Sequence, residues 1–215
     1  GLTRYIPHLI AISASSAIHD GEVTGLASTR TKIFEALPTA GIPHRLLNFS
    51  EFQKYMRTLQ RANTIESIRE VWWDFRPHIG FGTVEVRICD NVPTLEEMVQ
   101  IAAISQCLIV ALSEHYDTAT QLPLLDRWIL AENKWRATRY GLDADIIIDD
   151  TGSQQPLKES INELIDKLSI YAEAGVDEFI ISSSFGQEQN ETIESMHKIS
   201  EEIIPYFKNS KNQVA

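Results

Sequence analysis

Clusters of positive charge are missing from this chain. Nowhere in its 215 residues does a basic run occur, and 30 acidic residues against 19 basic ones give a formal charge of −11. Nucleic acid is held through its phosphates by grouped Lys and Arg, so a nucleic-acid partner is excluded. Cysteine is scarce: Cys89 and Cys107 have no partner at metal-ligand spacing and read as free thiols of a reducing, cytoplasmic compartment. The longest apolar stretch, 101–112, carries Ser105 and Gln106 and falls short of the ~20 residues that cross a bilayer, so no membrane partner is expected. The glycine-rich phosphate loops GxGxxG and GxxxxGK[ST] do not occur. Six scattered histidines show neither a two-His ligand spacing nor a Ser/His/Asp arrangement, which removes zinc and triad-hydrolase readings. Arginine is absent beyond residue 139, and residues 156–215 hold 5 Lys against 11 acidic residues. That step in composition marks a boundary near 149–156, with a catalytic portion over 1–155 and a helix-strand-helix tail over 156–215.

What is present reads as alternating helices and short strands, an α+β class. Residues 4–18 predict a buried helix and a Ser-rich turn, and Asp20-Gly21 and Thr24-Gly25 a loop. Ser28 caps a helix that Pro38 stops, and Ser50-Glu51-Phe52-Gln53 reads as a capping box ahead of Phe52, Tyr55, Met56 and Leu59 at helical spacing. A second box, Thr94 to Glu97, opens a long helix to about Tyr116 that is apolar nearly all round and so expected at the centre of the core. A helix over about 124–140 ends at Gly141. Residues 145–149 predict a buried strand, and Pro156 starts a helix with Leu157, Ile161, Leu164, Ile165 and Leu168 on one stripe. A strand over 176–182 and a helix over 190–204 complete the pattern. Because residue 1 is Gly, and 4–10 read like the middle of a folded element, the chain is expected to be the C-terminal portion of something longer, or a processed product.

Residues 71–90, VWWDFRPHIGFGTVEVRICD, carry the chemistry. Val84, Val86 and Ile88 alternate with Thr83, Glu85 and Arg87, and Val71, Trp73 and Phe75 alternate with Trp72, Asp74 and Arg76, with Pro77, Gly80 and Gly82 supplying the turn. Pairing the apolar faces puts Asp74, Arg76, Glu85 and Arg87 on one surface. Carboxylates beside guanidiniums on a rigid sheet suit magnesium and transferring phosphoryl oxygens; the same alternation also fits a plain cross-strand salt bridge. Arg30 sits in the first turn of its helix, where the dipole disfavours a cation unless it is solvated or helps to bind an anion. Glu132 and Arg136, four apart, read as a surface ion pair.

These segments, with TGLASTR at 24–30 and ENKWRATRYGLDA at 132–144, resemble the second type of glutamate–cysteine ligase, the carboxylate–amine ligase family, over about residues 3–155. The resemblance implies a glutamine-synthetase-like fold, an antiparallel sheet forming a cup wrapped by helices, of which this chain is the C-terminal portion. It implies ATP and Mg²⁺ as cofactors, an acyl phosphate intermediate, and a carboxylate and an amine as substrates. By position, Glu85 would be the metal ligand and catalytic with Arg87; Arg76 and Arg87 would face the nucleotide phosphates; Arg30, with Ser16 and Thr24, would hold the acidic substrate. Where the family commonly reads Asn, Pro, Trp and Asp in the loop before TGLASTR, this chain has Ser15, Ala17, His19 and Val23, so the identities of carboxylate and amine stay open. The family's first half, with a glutamate-rich metal-binding strand and a histidine-bearing strand, lies outside this sequence. A partner is therefore expected, as that missing half or a complementary chain, with a homo-oligomer left open. The alternatives are a non-catalytic interaction or regulatory remnant of the fold, or a flavin-dependent monooxygenase-like subunit, because residues 167–207 resemble the last βα unit of luciferase-like monooxygenases.

Overall fold

Helix α1 (Ile6–Ser13) carries Pro7 in its first turn, where the fixed φ suits the helix and the missing N–H costs nothing. Every residue of it except Ile12 is buried. It forms the centre of the main core, packed with Phe75, Ile88, Ala137, Ile146, Leu157 and Ile161. The computed structural model describes residues 1–174, so the strand expected over 176–182, the helix expected over 190–204 and most of the 167–207 segment lie outside the described residues. Residues Gly1–Tyr171 make one compact unit.

After α1 the chain makes a miniature hairpin where a loop was expected. Strands β1 (Ile18–His19) and β2 (Glu22–Val23) pair antiparallel across Asp20 and Gly21, both with positive φ, the tight turn that matches strand twist. Helix α2 (Thr29–Glu35) is capped by Ser28, whose hydroxyl accepts from the Thr31 N–H. Helix α3 (Phe49–Arg61) is capped two residues earlier than expected. Asn48 Oδ1 accepts from the Glu51 N–H at 3.0 Å, and the Glu51 carboxylate reaches back to the Leu47 N–H at 2.8 Å. The predicted face is right: Phe52, Tyr55, Met56 and Leu59 pack with Val71 and Trp73 in a second apolar cluster.

Strands β3 (Phe75–His78) and β4 (Thr83–Val86) pair with Phe75 opposite Val86, Arg76 opposite Glu85 and Pro77 opposite Val84. Pro77 is thus a strand residue, tolerated because β3 is an edge strand; the turn is made by residues 79–82. Helix α4 (Leu95–Asp117) has the predicted capping box, with Thr94 and Glu97 each bonding the other's backbone N–H. It is not central: only Ser105 and Leu108 are buried, Leu108 against Leu164 and Leu168. Helix α5 (Arg127–Tyr140) starts at Arg127 rather than 124 and ends at Gly141, where φ is +58° and a Cβ would stand 3.2 Å from the Ala27 Cβ. Strand β5 (Asp145–Ile147) turns back on β6 (Gln154–Pro156), which the sequence pattern did not show. Helix α6 (Leu157–Leu168) buries Leu157, Ile161, Leu164 and Leu168, and leaves Ile165 exposed. The composition step near 149–156 falls inside the compact unit, at the β5–β6 turn, because Leu157 and Ile161 belong to the same core as α1.

The architecture is α+β: helices around three separate two-stranded antiparallel ladders. Among the described residues these ladders stay separate, and of the expected C-terminal portion of a cup-shaped sheet they bear out only the α+β class.

Candidate functional site

The β3–β4 register decides which charges meet. Arg76 lies directly opposite Glu85, and its Nε donates to Glu85 Oε2 at 2.8 Å. Its Nη1 also donates to the Arg69 carbonyl at 2.8 Å, fixing the fork in place. Arg87 reaches the other carboxylate oxygen, Oε1, through Nη1. The Arg87 guanidinium lies over the Trp72 ring, 4.6 Å from its centroid, and 5.4 Å from that of Phe34. Arg30 approaches the same Phe34 ring at 5.1 Å and donates from Nη2 to the Arg87 carbonyl at 2.9 Å. Two guanidiniums therefore share one carboxylate, and a third, that of Arg30, is tied to the same strand through the Arg87 carbonyl. Arg87 Nε is buried and has no hydrogen-bond partner. Burial, more than the neighbouring Arg76 and Arg30, pulls the Arg87 pKa below its ordinary value, with Glu85 opposing. The Arg87 side chain is 9% exposed and that of Glu85 37%, so the pair stands at a surface without being lost in bulk water. Two guanidiniums sharing one carboxylate, with Arg30 and Arg87 held on aromatic faces, make an arrangement that favours an anion.

Asp74, expected on this surface, is drawn inward instead. Both its oxygens accept from Lys134 Nζ, at 2.8 and 2.7 Å, and the same ammonium meets Glu35 Oε1 at 2.9 Å. Lys32 in turn pairs with Glu35 at 2.8 Å. Burial pushes the Asp74 carboxyl up despite Lys134. For Glu35 burial acts the same way, but Lys134 and Lys32 outweigh it and hold the carboxyl low. Sequence reasoning missed Lys134. The signal was its place on α5 between Leu130 and Thr138, both buried: a lysine on the inward stripe of a helix needs a carboxylate waiting for it.

A second missed residue, Asp90, organises the loop that carries the substrate-binding expectations. Its Oδ2 accepts from the Ser15 and Ser16 N–H groups at 3.0 and 3.1 Å and from the Ser16 hydroxyl at 2.6 Å. Its Oδ1 accepts from the Ser28 hydroxyl at 2.7 Å, and its own N–H donates to Ser13 Oγ at 3.1 Å. Continuing the alternation Val84, Val86, Ile88 puts residue 90 on the inward side, so a buried, fully bonded aspartate was readable there. Ser16 Oγ, already donating to Asp90, accepts the Arg30 N–H at 3.0 Å. Thr24 Oγ1 donates to the Ala17 carbonyl at 3.0 Å and lies 2.6 Å from Thr29 Oγ1. Ser16 and Thr24 thus brace the approach to Arg30. Asn133 clasps β5 by exchanging two hydrogen bonds with Ile147, and Arg136 pairs with Glu132 at 2.7 Å as the spacing suggested.

Among the described residues no group of three or more His, Cys, Asp and Glu stands ready for a metal ion. Both oxygens of Glu85 are taken by arginine, so this chain's described residues do not by themselves form a magnesium site. Burial pushes the Cys89 thiol up to about 11, which leaves it un-ionised at neutral pH.

Comparison with known proteins agrees with these motifs. Glutamate-cysteine ligase family 2 matches residues 1–197, running past residue 155 and through much of the segment that was likened to a flavin monooxygenase. A protein of Thermobifida fusca named "Putative glutamate--cysteine ligase 2" is 52% identical over 172 residues, 80% of this chain and 43% of its own length. A Frankia alni relative with the same name, numbered 2-1, is 51% identical over 167 residues, 78% of this chain and 44% of its own. Another from an Arthrobacter species is 39% identical over 204 residues, 92% of this chain and 53% of its own. The chain spans about half the length of the curated relatives it matches. By motif, order and extent, it belongs to glutamate-cysteine ligase family 2.

Proposed function

We propose that this chain supplies the phosphate- and carboxylate-binding face of an ATP- and magnesium-dependent carboxylate–amine ligase that forms an amide through an acyl phosphate. The observation that carries the reading is the sharing of the Glu85 carboxylate by Arg76 and Arg87, with Arg30 bonded to the Arg87 carbonyl and Arg87 Nε buried and unpartnered. In the proposed reaction a substrate carboxylate oxygen attacks the γ-phosphorus of ATP, the bond to ADP breaks, and an acyl phosphate forms. The amine then adds to the acyl carbon, loses its proton, and expels inorganic phosphate. Arg76 and Arg87 face the nucleotide phosphates and stabilise the charge that moves between oxygens. Arg30, held by the Ser16 and Thr24 braces, takes the carboxylate substrate.

Two arginines share Glu85, so its role is to hold the forks in register and, when one pair opens, to offer a ligand to magnesium. The remaining metal ligands are assigned to the part of the relatives' length that this chain lacks. In the same reading the three short ladders are pieces of a larger glutamine-synthetase-like sheet. Altered residues Ser15, Ala17, His19 and Val23 line the loop ahead of Arg30, so glutamate and cysteine are the first substrates to try rather than the only ones.

The test is amide formation by this chain combined with the unspanned stretch of the Thermobifida fusca relative, with ATP, glutamate and cysteine, and other amino acids in parallel. We expect phosphate and ADP to appear in step with amide. Glu85→Gln is expected to lower phosphate release by at least about 10²-fold, within the range seen when one stabilising group is removed, with the melting temperature nearly unchanged. Turnover that survives Glu85→Gln and Arg87→Ala alike would remove the site from the reaction.

A further inference from the structure

Away from the β3–β4 hairpin, residues of α1, α5, α6 and the β5–β6 ladder enclose a second cavity of about 250 Å³, with Arg4, His8, Asn133, Ser160, Glu163 and Lys167 in its wall. None of Arg30, Arg76, Glu85 and Arg87 lines it. We propose that this cavity binds a free α-amino acid with a small apolar side chain, its carboxylate on Arg4 and Ser160 and its ammonium on Glu163, as a site separate from the arginine-bearing face.

Three side chains carry the proposal. His8 is 5% exposed, on a helix whose other buried side chains are almost all apolar. Its Nε2 lies 3.0 Å from Ser160 Oγ, while Nδ1, also buried, has no hydrogen-bond partner. Burial, and after it Arg4, lowers the His8 pKa to about 4, so at neutral pH the ring holds one donor and one acceptor. In either tautomer, one ring nitrogen is spent on Ser160, and both the ring and the hydroxyl keep hydrogen-bonding capacity unspent. Unspent polar capacity inside a protein is costly, so it points to a polar occupant. Arg4 is half-buried, and among the described residues its guanidinium finds one carbonyl, that of Ile148 at 3.4 Å, and no carboxylate. A guanidinium in that position favours a carboxylate, which its planar fork matches. Glu163 supplies the opposite charge. Its Oε1 accepts from Gln155 Nε2 at 2.7 Å, but Oε2 stands 3.9 Å from Lys167 Nζ, too far for a hydrogen bond, and is left for an ammonium.

Size and charge select the ligand. Cavities for drug-sized molecules run from about 300 to 1,000 Å³, so this one is too small for a nucleotide and suits an amino acid. A divalent cation would meet Arg4 and Lys167, and a phosphate dianion would meet Glu163. One unpaired guanidinium and one available carboxylate oxygen instead match a zwitterion. Leu125, Ile146 and Leu164 supply the apolar part of the wall, which takes the ligand's side chain. The proposal is independent of acyl-phosphate chemistry, because no residue assigned to the reaction takes part in it.

Isothermal titration of this chain with L-valine tests it, beside 3-methylbutanoate, which lacks the ammonium, and 2-methylpropan-1-amine, which lacks the carboxylate. The expected result is saturable one-to-one binding of L-valine, with each truncated probe weaker by at least about tenfold. Arg4→Gln and Glu163→Gln should each weaken L-valine by the same order. The Glu163 side chain is 56% exposed, so that variant should keep the parent's melting temperature and separates lost binding from lost folding. Arg30→Ala, at the carboxylate site of the proposed reaction, should leave the L-valine affinity as it was. No saturable heat, equal binding of either truncated probe, or an affinity that Arg4→Gln or Glu163→Gln leaves unchanged would each overturn the proposal. So would binding that disappears with Arg30→Ala, since valine would then occupy the reaction's own site. Binding that follows Arg4 and Glu163 in a protein that makes no amide would leave the proposal standing and sink the ligase chemistry alone.

Discussion

Lys134 shows how a single residue ties the site to the scaffold. Its ammonium is fully buried between Asp74 on the hairpin and Glu35 on α2, so it compensates two carboxylates that burial would otherwise make costly. Removing one partner of a buried pair leaves a charge without its counter-charge, at about 3–5 kcal/mol. Lys134→Met is expected to lower stability by that order, read from the urea midpoint. Lys134→Met with Asp74→Leu should recover a large part, because it removes both the cation and the carboxylate that faces it. A single variant as stable as the parent would show that the pair is solvated. At this scale the sequence was partly legible. Arg76, Glu85 and Arg87 were found by alternation because a strand states its faces every second residue. Asp74 was placed on the same face by the same rule, correctly as backbone, but its partner lies 60 positions away on another helix and no local period reveals it. Lys134 and Asp90 were missed for one reason: both are polar residues at inward positions, and their meaning depends on what waits inside.

Elements were legible where local chemistry sets them and misread where the surroundings do. The capping box of α4 and the Ser28 cap of α2 are local bargains between a side chain and the next turn, and both are formed as predicted. At α3 two overlapping frames competed, and Asn48 won because its extended backbone lets Oδ1 meet the Glu51 N–H while Glu51 holds Leu47. Asn48→Ala is therefore expected to cost about 1 kcal/mol of stability and Ser50→Ala only a few tenths. A thermal or urea comparison of the two variants checks the frame; an equal loss, or a larger one at Ser50, would return the cap to the frame read from sequence. Helix α4 failed differently. Its composition predicts burial, and burial is a property of neighbours: with α6 on one side Leu108 is buried, while the other apolar side chains are half-buried and Tyr116 is exposed. The three short ladders repeat the lesson, since strand pattern announces a sheet without saying how many strands this chain contributes.

On the scale of the whole molecule, two opposite charge distributions coexist. The chain carries −11 overall, which repels anions at a distance, yet it sets Arg76 and Arg87 on one carboxylate and Arg30 on the Arg87 carbonyl beside them. Within a Debye length of about 8 Å at physiological salt the local cluster dominates and the distant acidic residues are screened. An anion that binds only the folded state must then raise stability by RT ln(1 + [L]/Kd), about 2.7 kcal/mol at a hundredfold excess over Kd. For a chain of this size, that is a shift in melting temperature of roughly 5–10 °C. Inorganic triphosphate is the probe, since it presents the linked phosphates of a nucleotide without base or sugar. Arg87→Ala removes the fork that lies over Trp72 and Phe34 and should abolish most of the shift, while Arg136→Ala, which loses a surface pair with Glu132, should keep it. The shift should shrink as sodium chloride rises, because the contacts are between charges. If triphosphate leaves the melting temperature where it was, or shifts the Arg87→Ala chain by as much as the parent, the face is an internal salt-bridge network, and the phosphate-binding role has to be sought elsewhere in the family's fold.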